Sequence, residues 1–198
     1  MKRFAVVLLP LLLACCRAPS SVAPMTVPLQ YKAMLTPGEV PTMPQCAALS
    51  KIEVLDGRDE KNIGKRYVEG KSSAIATVTT SDDVAAWAGR GFENTFKRAG
   101  VAVGKEGAPV LHIRIDQIVT NENVVHRSGY DGRIVMSAEL GAGGSCWKDS
   151  AEGFAENYGY IGSVENYQET LNHALDRAAA RILSSPNFRK AVCSCTGS

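Results

Sequence analysis

The sequence predicts an α+β fold: a two-layer domain in which a mainly antiparallel sheet carries two amphipathic helices on one face. Three observations lead to that expectation. Apolar residues recur at helical spacing over Val84, Trp87, Ala88, Phe92, Phe96 and Ala99, and again over Val164, Tyr167, Leu171, Ala174, Leu175, Ala178 and Ile182. The segments between them alternate apolar and polar residues with a period of two, as strands with one buried and one wet face do. The order β, β, α, β, β, β, β, α groups strands together instead of alternating them with helices, which is the pattern of a layered domain.

Residues 1–16, MKRFAVVLLPLLLACC, precede the domain and read as an export signal over 1–14. Lys2 and Arg3 form a positive start, Phe4 to Leu13 an apolar run, and Ala14 a small residue before Cys15. As a helix the run covers about 15 Å, half of a bilayer core of about 30 Å, so it is built to be removed and not to span. Residues 15–45 then form a tether. Six of the nine prolines fall here, and the stretch reaches roughly 30 Å as a coil or about 90 Å as polyproline II. Val27 to Leu35, with Leu29, Tyr31 and Met34, reads equally as a piece packed on the domain.

The single domain is expected over 46–192. Ala48 to Leu55 reads as a first strand ending in the charged turn Asp56-Gly57-Arg58-Asp59, Lys61 to Gly70 as a loop, and Ser73 to Thr79 as a second strand. Thr80 or Ser81 is placed to cap the first helix, with Asp82 and Asp83 in its first turn, and Gly100 sits where a left-handed residue ends a helix. Gly89 and Gly91 inside that helix mark close packing on the sheet. After a brief strand at Val101 to Val103, Pro109 to Thr120 puts Leu111, Ile113 and Ile115 on one face and His112, Arg114 and Asp116 on the other. Tyr130 to Gly141 turns Ile134, Met136, Ala138 and Leu140 inward, and Gly141 to Gly144 leads into a third meander strand, Ser145 to Ala155. Ser163 caps the second helix. Ser185-Pro186 ends it and starts a last turn over Asn187 to Val192, leaving a tail at 193–198.

With 22 basic and 20 acidic residues the chain is close to neutral, and Lys2 and Arg3 leave with the signal. That excludes the basic field a nucleic-acid binder needs. Beyond Cys15, the cysteines Cys16, Cys46, Cys146, Cys193 and Cys195 are odd in number, so at least one stays a thiol or joins another chain. Cys46, Cys146, Cys193 and Cys195 are the disulfide candidates, and a bond from Cys46 to Cys193 or Cys195 would fasten the two ends of the domain. Cys193-Ser194-Cys195 lacks zinc-ligand spacing, and no metal or cofactor is expected.

Catalytic signatures of hydrolases, metalloproteases and nucleotide enzymes are missing, so the protein is not expected to be an enzyme. His173 sits with Glu169, Asn172, Asp176 and Arg177 on what reads as the solvated face of the second helix. His126 falls in a hairpin loop. An envelope hydrolase would need two or more of His112, Asp116, Asp131 and Glu139 to meet in one cleft. Asp56, Asp59 and Glu60 do not have calcium-loop spacing. Phe154, Tyr158, Tyr160 and Tyr167 form the candidate partner surface, since tyrosine joins a large apolar area to a polar tip.

Leu12-Leu13-Ala14-Cys15 resembles a bacterial lipobox, which implies cleavage before Cys15, lipidation of its thiol and new amine, and a stable anchor in membrane lipid. Together with the proline-rich lead, Asp56-Gly57-Arg58, the helix end Phe96-Lys97-Arg98-Ala99-Gly100-Val101-Ala102-Val103, the strand Leu111 to Ile118 and the long last helix, it makes residues 47–185 similar to the YajG-like uncharacterised lipoproteins. The auxiliary lipoproteins of ABC-type lipid-transport systems share a similar order. The resemblance implies an outer-membrane lipoprotein whose domain faces the periplasm, and Cys16 in place of Asp after the acceptor fits that destination. The function it implies is a non-catalytic binding or scaffold role with an envelope protein partner. An auxiliary transport role is the alternative, and it would need an apolar groove between sheet and helices.

Overall fold

A computed structural model describes residues 23–68, 74–124, 128–141 and 143–195. The expected export signal, Cys15 and His126 lie outside the described residues. Among these residues, nine strands and three α-helices follow in the order β1 (Met25–Thr26), β2 (Ala48–Leu49), β3 (Lys51–Asp56), β4 (Gly64–Val68), β5 (Ala76–Thr79), α1 (Val84–Arg98), β6 (Ala102–Val103), β7 (Val110–Val124), β8 (Ser128–Gly141), β9 (Ser145–Gly159), α2 (Val164–Ser184) and α3 (Pro186–Ser194), with a single 3-10 turn at Pro37–Glu39.

The meander β7-β8-β9 is the frame of a seven-stranded sheet, antiparallel along nearly its whole length. The free edge of β7 is shared by two short strands lying end to end. β3 pairs in parallel with residues 110–115 and β4 in parallel with residues 120–124. The sheet then continues through β5 to β1, while β2 and β6 form a separate small pair. A bulge at Ile115/Gln117 switches the inward parity of β7, so that Leu111, Ile113 and Ile115 are followed inward by Ile118, Thr120 and Glu122. The fold is an α+β domain with helices on one face of a mixed sheet, and the long ladders are the antiparallel ones.

The helices bury their apolar stripes on that face, where Trp87, Phe92, Phe96, Leu171 and Leu175 meet Leu111, Ile113, Ile134 and Met136. Gly132 and Gly153 let α2 lie close to the sheet. A Cβ at Gly153 would stand 1.9 Å from the Ala174 carbonyl oxygen, and one at Gly132 would stand 2.6 Å from Thr170 Cγ2. Gly91 packs against α2 and Tyr31 instead of the sheet, its missing Cβ lying 2.4 Å from Leu175 Cδ2.

Five expectations are corrected here. The loop expected over Lys61 to Gly70 contains β4, because its inward residue Arg66 is held by a buried carboxylate and not by apolar contact. Asp83, and not Thr80 or Ser81, caps α1, accepting from the Ala86 amide at 3.0 Å, since Asp82 turns away to accept from the Leu29 amide at 2.6 Å. The tether does not run free to residue 45. Val27, Leu29, Leu35, Val40 and Met43 are core residues, and the strap formed by residues 27–43 crosses both long helices. One helix face of α2 holds it through residues four apart. Gln168 Nε2 donates to the Pro28 carbonyl at 2.8 Å, Asn172 Nδ2 to the Gln30 carbonyl at 3.0 Å, and Asp176 accepts from the Met34 and Leu35 amides at 2.7 and 3.2 Å. Asp176 and Asn172 are therefore buried and His173 is half-buried, where solvated side chains were expected.

The last correction concerns the tail. Cys193 and Ser194 belong to α3, and Cys195 is buried. Cys46 is bonded to Cys193 and Cys146 to Cys195, over sequence separations of 147 and 49. Between these bonds α3 closes the end of the core, with Phe188 edge-on to Trp147 at 4.9 Å and to Phe96 at 5.9 Å.

Candidate functional site

Helices and strap cover one face of the sheet and leave the other to solvent. On that open face the register forms rows that cross the strands. The first runs Glu53, His112, Glu139, Lys148 and the second Leu55, Arg114, Ser137, Ser150. His112 Nδ1 stands 3.0 Å from Glu53 Oε2, and Lys148 Nζ stands 3.8 Å from Glu139 Oε2. Lys51 and then His112 hold the Glu53 carboxyl below the usual carboxylate range. Arg114 Nη2 donates to the Gly57 carbonyl at 3.0 Å, and Arg133 pairs with Glu152 at 2.8 Å. Glu53, His112, Arg114, Glu139 and Lys148, with the exposed Leu55, line a shallow, open concavity of about 780 Å³. Its chemistry is that of a mixed-charge surface over an apolar floor that includes Ile52, Val54 and Ala138, with Leu55 exposed at its side.

The four residues named for hydrolysis do not meet. His112 and Glu139 are cross-strand neighbours, whereas Asp131 opposes Asn121 eight residues further along β8, about 26 Å away, and accepts from its Nδ2 at 3.0 Å. Asp116 faces Arg114 at 3.4 Å. Among the described residues, no three His, Cys, Asp or Glu side chains converge as a metal-ligand set. Asp56 is engaged locally: Arg58 grips it with Nε at 2.7 Å and Nη2 at 2.9 Å, which lowers its pKa to about 2 and locks the turn after β3. Asp59 and Glu60 stay exposed beside it.

A second polar cluster, which the sequence did not disclose, is fully buried. Glu122 accepts from Arg66 Nε at 2.5 Å, Tyr167 Oη at 3.0 Å and the Gly162 amide at 2.6 Å, and lies 3.1 Å from Tyr130 Oη. Burial pushes its carboxyl up, but Arg66, the Gly162 amide and Tyr167 together outweigh burial and hold it low. Burial first, and then the Glu122 charge, push the Tyr167 phenol far up. Tyr130 Oη also reaches the Tyr160 carbonyl and accepts from the Ser163 amide at 3.1 Å, so the cluster fixes the loop that enters α2.

The aromatic set is divided by this arrangement. Tyr167 is 0% exposed and cannot form part of a surface, because its ring packs edge-on to Tyr130 at 5.0 Å beneath α2. Phe154 is 44% exposed on the open face, and Tyr158 and Tyr160 are 72% and 88% exposed at the end of β9, next to Ile161 at 55%. Among the described residues, the space between sheet and helices is filled by core side chains.

No family model matches the sequence, and comparison with curated proteins gives no match. Among solved structures, the fold is similar to the crystal structure of protein XCC0632 from Xanthomonas campestris, of family DUF330. The TM-score is 0.51, with 8% identity over 83% of this chain and 96% of that one. A second structure, titled only as an uncharacterized protein, aligns with a TM-score of 0.44 and 10% identity over 80% of this chain and 97% of that one. The likeness to XCC0632 is one of fold.

Proposed function

We propose that this protein is a YajG-like outer-membrane lipoprotein, anchored through acylated Cys15, whose periplasmic domain binds an envelope protein without catalysing a reaction. The observation that carries the reading is the open sheet face: a long, rigid, uncovered surface with a concavity lined by Leu55, His112, Arg114, Glu139 and Lys148. Its charges are already paired across strands, which suits a partner of mixed charge better than a single strongly charged ligand. The two disulfides support export, since such bonds persist in oxidising compartments. Placement of the scaffold on this face revises the partner surface to Phe154 with the concavity.

The test joins acylation with capture. In intact cells the full chain incorporates labelled palmitate and the Cys15→Ala variant does not; labelling that persists in the variant overturns the anchor. A photo-crosslinking residue placed at Leu55 captures one discrete envelope protein, and a reporter on the helix side at the exposed Arg90 of α1 does not. Absence of an adduct at Leu55 overturns the binding role. Capture of a permease or channel selects the alternative, an auxiliary lipoprotein of an ABC-type lipid-transport system, whereas capture of a peptidoglycan synthase selects the scaffold.

A further inference from the structure

Resting on the lipoprotein reading, we propose that the tip formed by Tyr158, Tyr160 and Ile161 is a bilayer-contact surface, seated in the interfacial layer of the membrane that holds Cys15. The strap makes this necessary. Because the chain is fixed from β1 onward, and Ala23 already gives its carbonyl to Arg66 Nη1 at 3.3 Å, only residues 16–22 separate the acceptor cysteine from the domain. Eight residue steps span at most about 28 Å when extended and roughly 15 Å as a coil. A domain of this length is about 40 Å across. The leash is shorter than the body it holds, so the end where the chain emerges stays turned to the membrane.

The register identifies that end. Met25 lies opposite Val78, Val78 opposite Gly64, Gly64 opposite Thr120, Thr120 opposite Gly132, and Gly132 opposite Ala155. Hydrogen bonds join the two places directly: Arg66 donates from Nη1 to the Ala23 carbonyl at 3.3 Å and from Nε to Glu122, and Glu122 accepts from the Gly162 amide at 2.6 Å. The point where the chain leaves the domain therefore lies beside the loop that carries Tyr160 and Ile161, and that end is the membrane side. The chemistry fits the place. Two tyrosines and an isoleucine, 72%, 88% and 55% exposed, are the combination of apolar body and polar tip that sits at headgroup depth. They are also held rigidly, since the Tyr160 carbonyl, the Gly162 amide and the Ser163 amide are all bound by the buried Glu122–Tyr130 cluster. The concavity around His112 lies at the far end of β7, about 36 Å from Asn123 along the strand, and so points into the periplasm.

The test uses the acylated full-length protein in vesicles of phosphatidylethanolamine and phosphatidylglycerol carrying brominated lipids. Tryptophan is introduced separately at two exposed positions, Tyr160→Trp and Leu55→Trp, against the constant signal of the buried Trp87 and Trp147. The expected result is a blue shift and strong quenching at position 160, stronger with bromines near the headgroup than near the chain ends, and no quenching at position 55. Flotation with the vesicles but no quenching at position 160, or equal quenching at both positions, overturns tip contact while leaving the lipoprotein reading intact. Failure to acquire lipid and to float overturns the lipoprotein reading, and tip contact falls with it.

Discussion

Glu122 shows what a single buried charge does in this fold. It neutralises Arg66, fixes the start of α2 and completes two tyrosines, so Glu122→Ala leaves a guanidinium buried without its partner. The expected loss is about 3–5 kcal/mol in urea denaturation. Asp56 gives a pH signature. Its carboxyl has a pKa of about 2 in the folded protein against an ordinary value of 3.8, so the stability it contributes is complete above the unfolded value and is lost as pH falls toward the folded one. Asp56→Asn is therefore expected to lower stability at pH 7 by about 1–2 kcal/mol and to flatten the decline between about pH 4 and 2, as read from denaturation midpoints across that range. Neither role was fully legible. Asp56-Gly57-Arg58 reads as a turn, which it is, but the bulge after Ile115 reverses the parity of β7 and hides that Glu122 points inward.

Among elements, the legible ones were those that bury apolar surface with a regular period, both long helices and the alternating strands of the meander, together with the cap at Ser163 and the helix break at Ser185-Pro186. Elements fixed by polar contacts were not legible. β4 carries Gly64 and Arg66 inward, and the strap has no period because its backbone is bound by side chains of α2 spaced four apart. Asp176 accepts from two strap amides, Tyr31 and Thr95, so Asp176→Ala strands several buried donors, each loss being worth about 1–3 kcal/mol. The expected outcome is a released strap, visible as fast hydrogen exchange of the Met34 and Leu35 amides. Close approach of α2 to β9 makes a second prediction: Gly153→Val forces the helix off the sheet and costs at least about 3 kcal/mol, measured as a lowered denaturation midpoint. A strand glycine signals such an approach only once the facing helix is known.

At the scale of the whole molecule, both covalent ties converge on α3, at the end opposite the tyrosine tip. Removing the longer one with Cys46→Ser and Cys193→Ser is expected to cost about 2–5 kcal/mol and to lower the melting temperature, with a larger loss on adding reductant to the unaltered protein, which opens both bonds. Under the export proposed above, the pairing pattern also governs how the protein is made. In a chain that crosses a membrane N-terminus first, Cys46 and Cys146 meet the oxidant together while their partners Cys193 and Cys195 are still being translated or threaded. The first bond open to these two is the wrong one, and both correct bonds wait for the last few residues. Biogenesis then depends on a thiol–disulfide isomerase that can undo Cys46–Cys146, and in cells lacking one, that misbridged species is what peptide mapping by mass spectrometry should find.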